Sequence, residues 1–193
     1  MSELKGGMQD DVWIDSEATL IRVGNTLGRP TSVYLYDFNM DWIEKEKKIN
    51  VSDDTAFVSS NDIVTSWMLN LVKANIGTIV CNYRNRIKEI TDSFAGNYVT
   101  MIIYQSPDYE SPKLIRLSLG SKSNKNLFKR VITKELPGHE ESIKSTHCAI
   151  SSWVAFYSEL KLNGCKEIHH LPILFDFTIG CEDLFVIFKS NPK

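Results

Sequence analysis

CNYRNRIKEITDSFAGN, residues 81–97, decides how this chain is read. A β-branched run, GTIVCNY (77–83), leads into two arginines one residue apart, Arg84 and Arg86. About ten polar residues follow, and then Gly96-Asn97 opens a second apolar run, NYVTMIIY. On a strand, residues i and i+2 share a face, so Arg84 and Arg86 are expected together on one side of a strand end. Two cations there repel unless an anion lies between them. A solvated strand end, or one arginine paired to a carboxylate elsewhere in the fold, meets that requirement without any ligand.

Outward from this stretch the order of segments acquires a pattern. Upstream lies SSNDIVTSWMLNLV, a helix signal; downstream lie Ser151-Ser152-Trp153 and DFTIG, Asp176 to Gly180. Asn82, Arg84, Arg86, Gly96 and Asn97, flanked in this order, resemble the C-terminal half of the BAHD acyltransferases. These enzymes belong to the chloramphenicol-acetyltransferase-like superfamily. The resemblance spans residues 30 to 190 and rests on order and spacing. It implies half of a chloramphenicol-acetyltransferase-like fold. It also implies acyl transfer from acyl-CoA to a hydroxyl or amine, with acyl-CoA as co-substrate and no bound cofactor.

The resemblance implies residue roles too. Asp176 would pair with Arg84 or Arg86 and hold two strands in register, while Ser151, Ser152 and Trp153 would line the donor channel. DFTIG departs from the family's DFGWG at Thr178 and Ile179, which removes any role of that tryptophan beside the donor. The family's general base is a histidine in an H-x-x-x-D motif. The fourth residues after His139, His147, His169 and His170 are Ile143, Ser151, Ile173 and Leu174, so the motif is absent from these 193 residues. The expected partner is therefore an N-terminal half or a second chain that brings the base. No catalytic residue is assigned within this chain. The alternatives are a catalytically silent binding or scaffold module, and a condensation-domain-like relative taking acyl groups from carrier proteins.

Composition sets the bounds. The chain is 42% hydrophobic and 24% charged, with a net charge of -2. That describes a globular protein with no general attraction to nucleic acid or an anionic membrane. No stretch approaches the ~18 apolar residues of a membrane span. Cys81, Cys148, Cys165 and Cys181 are widely spaced and include no C-x-x-C, which suits free thiols and a cytoplasmic setting. His169-His170 are neighbours, which on a strand face opposite ways, and no Cys/His cluster surrounds them; no metal site is expected. His147-Cys148 is likewise a poor nucleophile–base couple. No G-x-S-x-G, G-x-x-x-x-G-K or G-x-G-x-x-G occurs.

The expected class is α/β, a mixed sheet with packed helices. Residues 1–30 form a lead-in, and 31–193 a single domain. TSVYLYDF (31–38) has strand composition, and Asn39 is a helix N-cap. Ser59 or Ser60 caps a helix that carries Ile63, Val64, Trp67, Met68, Leu71 and Val72 on one face and ends at Asn75 and Gly77. Strands are expected at 77–83, 97–104 and 146–150, with ILFDF and LFVIFK last. Ser111-Pro112 opens a short helix. SKSNKNLFKRVITK (121–134) is expected as a helix whose cations face solvent or, in a sharper reading with Lys129 and Arg130, the phosphates of the donor. A half-fold would leave an apolar wall around Ser152, Trp153 and the 97–104 strand, so self-association is expected.

Overall fold

The structure is a computed structural model that describes residues 32–52, 55–86, 90–96, 98–120, 128–133, 135–154, 163–164 and 181–189. Its elements run α1 (Met40–Ile49), α2 (Ser60–Val72), β1 (Ile76–Asn82), β2 (Val99–Tyr104), α3 (Ser106–Tyr109), α4 (Pro112–Ser118), α5 (His139–Lys144), β3 (His147–Ser152) and β4 (Asp183–Ile187). The four strands form one mixed sheet in the order β2-β1-β3-β4. β1 and β2 are antiparallel; β1, β3 and β4 run parallel. The expected mixed α/β class is thereby met, with the three expected strands as neighbours.

Strand alternation builds the core. Gly77, Ile79 and Cys81 face the same way as their partners Tyr104, Ile102 and Thr100, and as Cys148 and Ile150 on β3. All eight are buried. The other face carries Thr78, Val80, Asn82, Met101 and Ala149, half-buried or exposed, together with buried Ile76, Ile103 and His147. α2 packs on the buried face. Gly77 is required where Leu69 crosses β1, because a Cβ there would lie 2.6 Å from a Leu69 methyl. Gly77 therefore sits within a strand. α2 instead ends on Lys73, whose left-handed backbone (φ 50°) frees its N–H to cap Leu69 and Asn70 carbonyls.

Several local rules hold as expected. The Asn39 side chain accepts from the N–H groups of Asp41 and Trp42. Ser59 and Asp62 form a reciprocal capping box, and Pro112 opens α4. Other expectations are corrected. Residues 32–38 join no strand, and Val33, Tyr34, Leu35 and Tyr36 are all exposed; strand composition cannot form a ladder without a neighbour to bond. The buried face of α2 is rotated from the apolar stripe. Trp67 and Leu71 face out, while Asp62, Thr65 and Ser66 are buried. Polar partners explain the rotation: Ser66 Oγ donates to the Tyr109 carbonyl, and Asp62 receives Arg116. Residues 128–133 are irregular rather than helical, fixed by Asp108, whose carboxylate accepts the N–H groups of Ile132 and Thr133. Residues 1–30, 121–127, Asn97, ILFDF and DFTIG fall outside the described residues.

Candidate functional site at the carboxyl end of the sheet

The amino ends of β1 and β3 are fastened together. Thr146 donates through both its N–H and its hydroxyl to Asn75 Oδ1, and Asn75 N–H returns a bond to Thr146 Oγ1. At the carboxyl ends the strands part. Their shared ladder stops at Ile79 opposite Ile150. Beyond it β1 stays with β2 as far as Asn82, and β3 stays with β4 as far as Ser152. The sheet thus forks into two two-stranded arms. The chain leaves β1 toward β2 on one side, and β4 lies on the other side of β3, so the strand order reverses between parallel β1 and β3, the kind of point at which open α/β sheets hold ligands.

The two segments that the sequence singled out lie at this end of the sheet, one on each arm of the fork. One arm ends in Asn82, Tyr83, Arg84 and Arg86; the other ends in Ser151, Ser152 and Trp153. Continuing the β1–β3 register would set Cys81 level with Ser152. Ser152 shares the helix-covered face with Cys81, whereas Ser151 lies on the other face and accepts the Trp153 indole N–H at 2.9 Å. The two hydroxyls therefore point to opposite sides of the sheet.

Arg84 and Arg86 occupy a turn, not a strand face. Pairing extends to Tyr83, whose N–H meets the Tyr98 carbonyl, and then Arg86 N–H closes back on the Tyr83 carbonyl. Asn85 adopts the left-handed region at φ 59°, which asparagine tolerates better than most residues. This turn separates the two cations. Arg84 is fully engaged: its guanidinium donates to the carbonyls of Phe94 and Gly96 at 3.0 and 2.5 Å and to Asn82 Oδ1, and rests on the Tyr98 ring. It laces the 84–96 excursion shut. Arg86 is exposed, with its guanidinium carbon 5.7 Å from the Phe128 ring centroid. Asp176, the carboxylate expected to pair with one of them, lies outside the described residues.

The remaining candidates divide in the same way. Lys129 is exposed, whereas Arg130 donates to the carbonyls of Thr133 and Ile103. Cys81 carries no nucleophilic thiolate: burial pushes its thiol up to about 12, outweighing the pull of Arg86 and Arg116. Burial likewise holds the Cys148 thiol protonated. His147 is buried, and its Nε2 donates to the Ser142 carbonyl, so the ring stitches β3 to α5. Among the described residues no group of three metal-ligating side chains occurs, and no helix is long and apolar enough to cross a membrane. His169 and His170 lie outside them.

Two broad hollows, of about 660 and 480 Å³, open at the opposite end of the sheet. They share Asn75, Glu141 and Ser145, and include Lys73, Glu140 and Lys144. Both are open and carry side chains of both charge signs, the second with Ala74, Pro107, Tyr109 and Pro137 along part of its wall, and neither has the apolar enclosure that favours a small-molecule site. The fork is the better candidate on chemistry. Sequence reading missed two parts of it. Phe128 holds the left-handed region at φ 57°, which no residue pattern announces. Cys81 reaches the fork through register alone. No protein-family model, curated protein or solved structure matches this chain.

Proposed function

We propose that this chain supplies the C-terminal half of an acyl-CoA-dependent acyltransferase acting on a hydroxyl or amine acceptor. The observation that carries the reading is the fork, which sets the R-x-R turn and the Ser151-Ser152-Trp153 segment at the same end of adjacent parallel strands. In the reaction the acceptor oxygen or nitrogen attacks the thioester carbonyl and loses its proton to a base. The new C–O or C–N bond forms, the C–S bond breaks, and the coenzyme thiolate leaves to take up a proton. None of the four histidines here lies in an H-x-x-x-D motif. The base therefore belongs to an N-terminal half or a partner chain, and this chain contributes a wall of the donor site. In this reading Ser152 Oγ, at the fork, bonds the thioester region.

The missing motif also favours a second reading, a silent binding module of the same fold that engages a thioester ligand without turning it over. Calorimetric titration of the chain with acetyl-CoA tests the first reading. Saturable binding, displaced by coenzyme A and weakened in Ser152→Ala, is expected. Absence of binding contradicts both readings. Acceptor-dependent release of coenzyme A by the chain alone contradicts the assignment of the base to another element. Turnover restored by an added H-x-x-x-D-bearing half separates the transferase from the silent module.

A further inference from the structure

We propose that Arg86 and Lys129 form an anion site at the carboxyl end of the sheet that takes a phosphate group. It deepens the donor-site reading by naming the residues that hold the nucleotide end of the donor. Among the described residues, the four cations Arg84, Arg86, Lys129 and Arg130 do not have equal freedom. The guanidiniums of Arg84 and Arg130 are spent on backbone carbonyls. Arg86 and Lys129 are exposed, and among the described residues neither has an ion-pair partner. Among the described residues of the same excursion, the Asp92 carboxylate accepts from Asn85 Nδ2 at 2.7 Å.

The two are joined through Phe128, which precedes Lys129 in the chain and carries the Arg86 guanidinium on its ring. Phe128 is buried and meets Tyr83 edge-on, with centroids 5.1 Å apart, so the platform is fixed to the end of β1. The Lys129 N–H is anchored on the Ser118 carbonyl. Among the described residues three non-glycine residues have positive φ, and two of them converge here: Asn85 precedes Arg86, and Phe128 lies beneath it. A bulky residue such as phenylalanine in the left-handed region is costly, and such conformations collect at ligand clamps. A guanidinium lying on a ring keeps its edge donors free, and those donors match phosphate oxygens in a fork. Lys129 supplies a second charge without a fixed direction.

The test is titration of the full chain with inorganic pyrophosphate, adenosine 3′,5′-bisphosphate, coenzyme A and pantetheine. Wild type is compared with Arg86→Gln, Arg86→Lys and Lys129→Gln, each checked for an unchanged unfolding transition. Lys48→Gln, on exposed α1, serves as the remote control. The three phosphate probes should bind with affinities that fall as salt rises. Arg86→Gln and Lys129→Gln should each weaken them about tenfold, the scale of a charge-assisted hydrogen bond. Arg86→Lys should fall between, and Lys48→Gln should change nothing. Phosphate probes that do not bind, or bind equally to wild type and both charge-removing variants, overturn the anion site. Coenzyme A binding that ignores Arg86 and Lys129 also overturns it, yet leaves the donor-site reading standing. Adenosine bisphosphate binding as tightly as coenzyme A, with no binding of pantetheine, leaves the anion site standing and removes the acyl donor.

Discussion

Asp62 has no exposed surface, and its only charge partner among the described residues is Arg116, which is 15% exposed. One carboxylate oxygen takes both the Arg116 guanidinium and the Ser59 N–H. Removing the arginine strands a buried charge. Arg116→Ala should therefore cost about 3–5 kcal/mol in urea unfolding. Asp62→Asn combined with Arg116→Met should recover part of that loss, because neither new side chain leaves an unpaired charge. Cys81 gives a prediction in pH. Its folded thiol pKa, raised by burial from 9.0 to about 12, makes the native state hold a proton that the unfolded chain releases earlier. The stability tied to the neutral thiol is complete below pH 9 and is lost as pH rises toward 12. Native Cys81 and Cys148 should resist alkylation at pH 8, while half-buried Cys181 reacts; labelling mapped by mass spectrometry checks this.

At the scale of elements, the close crossing of α2 over β1 is the tightest constraint. Gly77→Ala forces a methyl against Leu69, which is fully buried, and should cost about 1–3 kcal/mol in the same unfolding measurement. The start of α2 was legible in sequence, because Ser59 and Asp62 stand at the capping-box spacing and cap bonds are local. Its inward face was not. Apolar periodicity favours Trp67 and Leu71, but the helix rolls to satisfy Asp62 and Ser66, whose partners Arg116 and Tyr109 are 54 and 43 residues away. The irregular path of 128–133 was illegible for the same reason. Its anchor is Asp108, which caps α3 at Gln105 N–H and simultaneously holds Ile132 and Thr133. Residues 32–38 failed as a strand because composition measures propensity, while a strand also needs an edge to join.

On the scale of the whole molecule, the parallel strands are stapled at one end and forked at the other, and both R-x-R and Ser-Ser-Trp lie at the fork. Their order along the chain was legible; their placement at one end of the sheet depends on the β1–β3 register, whose partners such as Ile76 and His147 lie about seventy residues apart. The expected association surface is less simple. Met101 alone on β2 is a large exposed apolar side chain, whereas Met40 on α1, Trp67 and Leu71 on α2, and Val33 to Tyr36 ahead of α1 are all exposed. Sedimentation should show a concentration-dependent dimer or larger species, and a monomer at high concentration would contradict the expectation of self-association.

The acyl-CoA site proposed here is the fork, and not the hollow lined by Asn75, Lys144 and Ser145. Photolabelling with an acyl-CoA whose acyl chain carries a diazirine, followed by peptide mapping, tests it most directly. Saturable labelling is expected at residues 81–86 and 151–153, suppressed by excess coenzyme A. Labelling confined to the 73–75 and 138–145 end, or labelling that coenzyme A does not suppress, would contradict it.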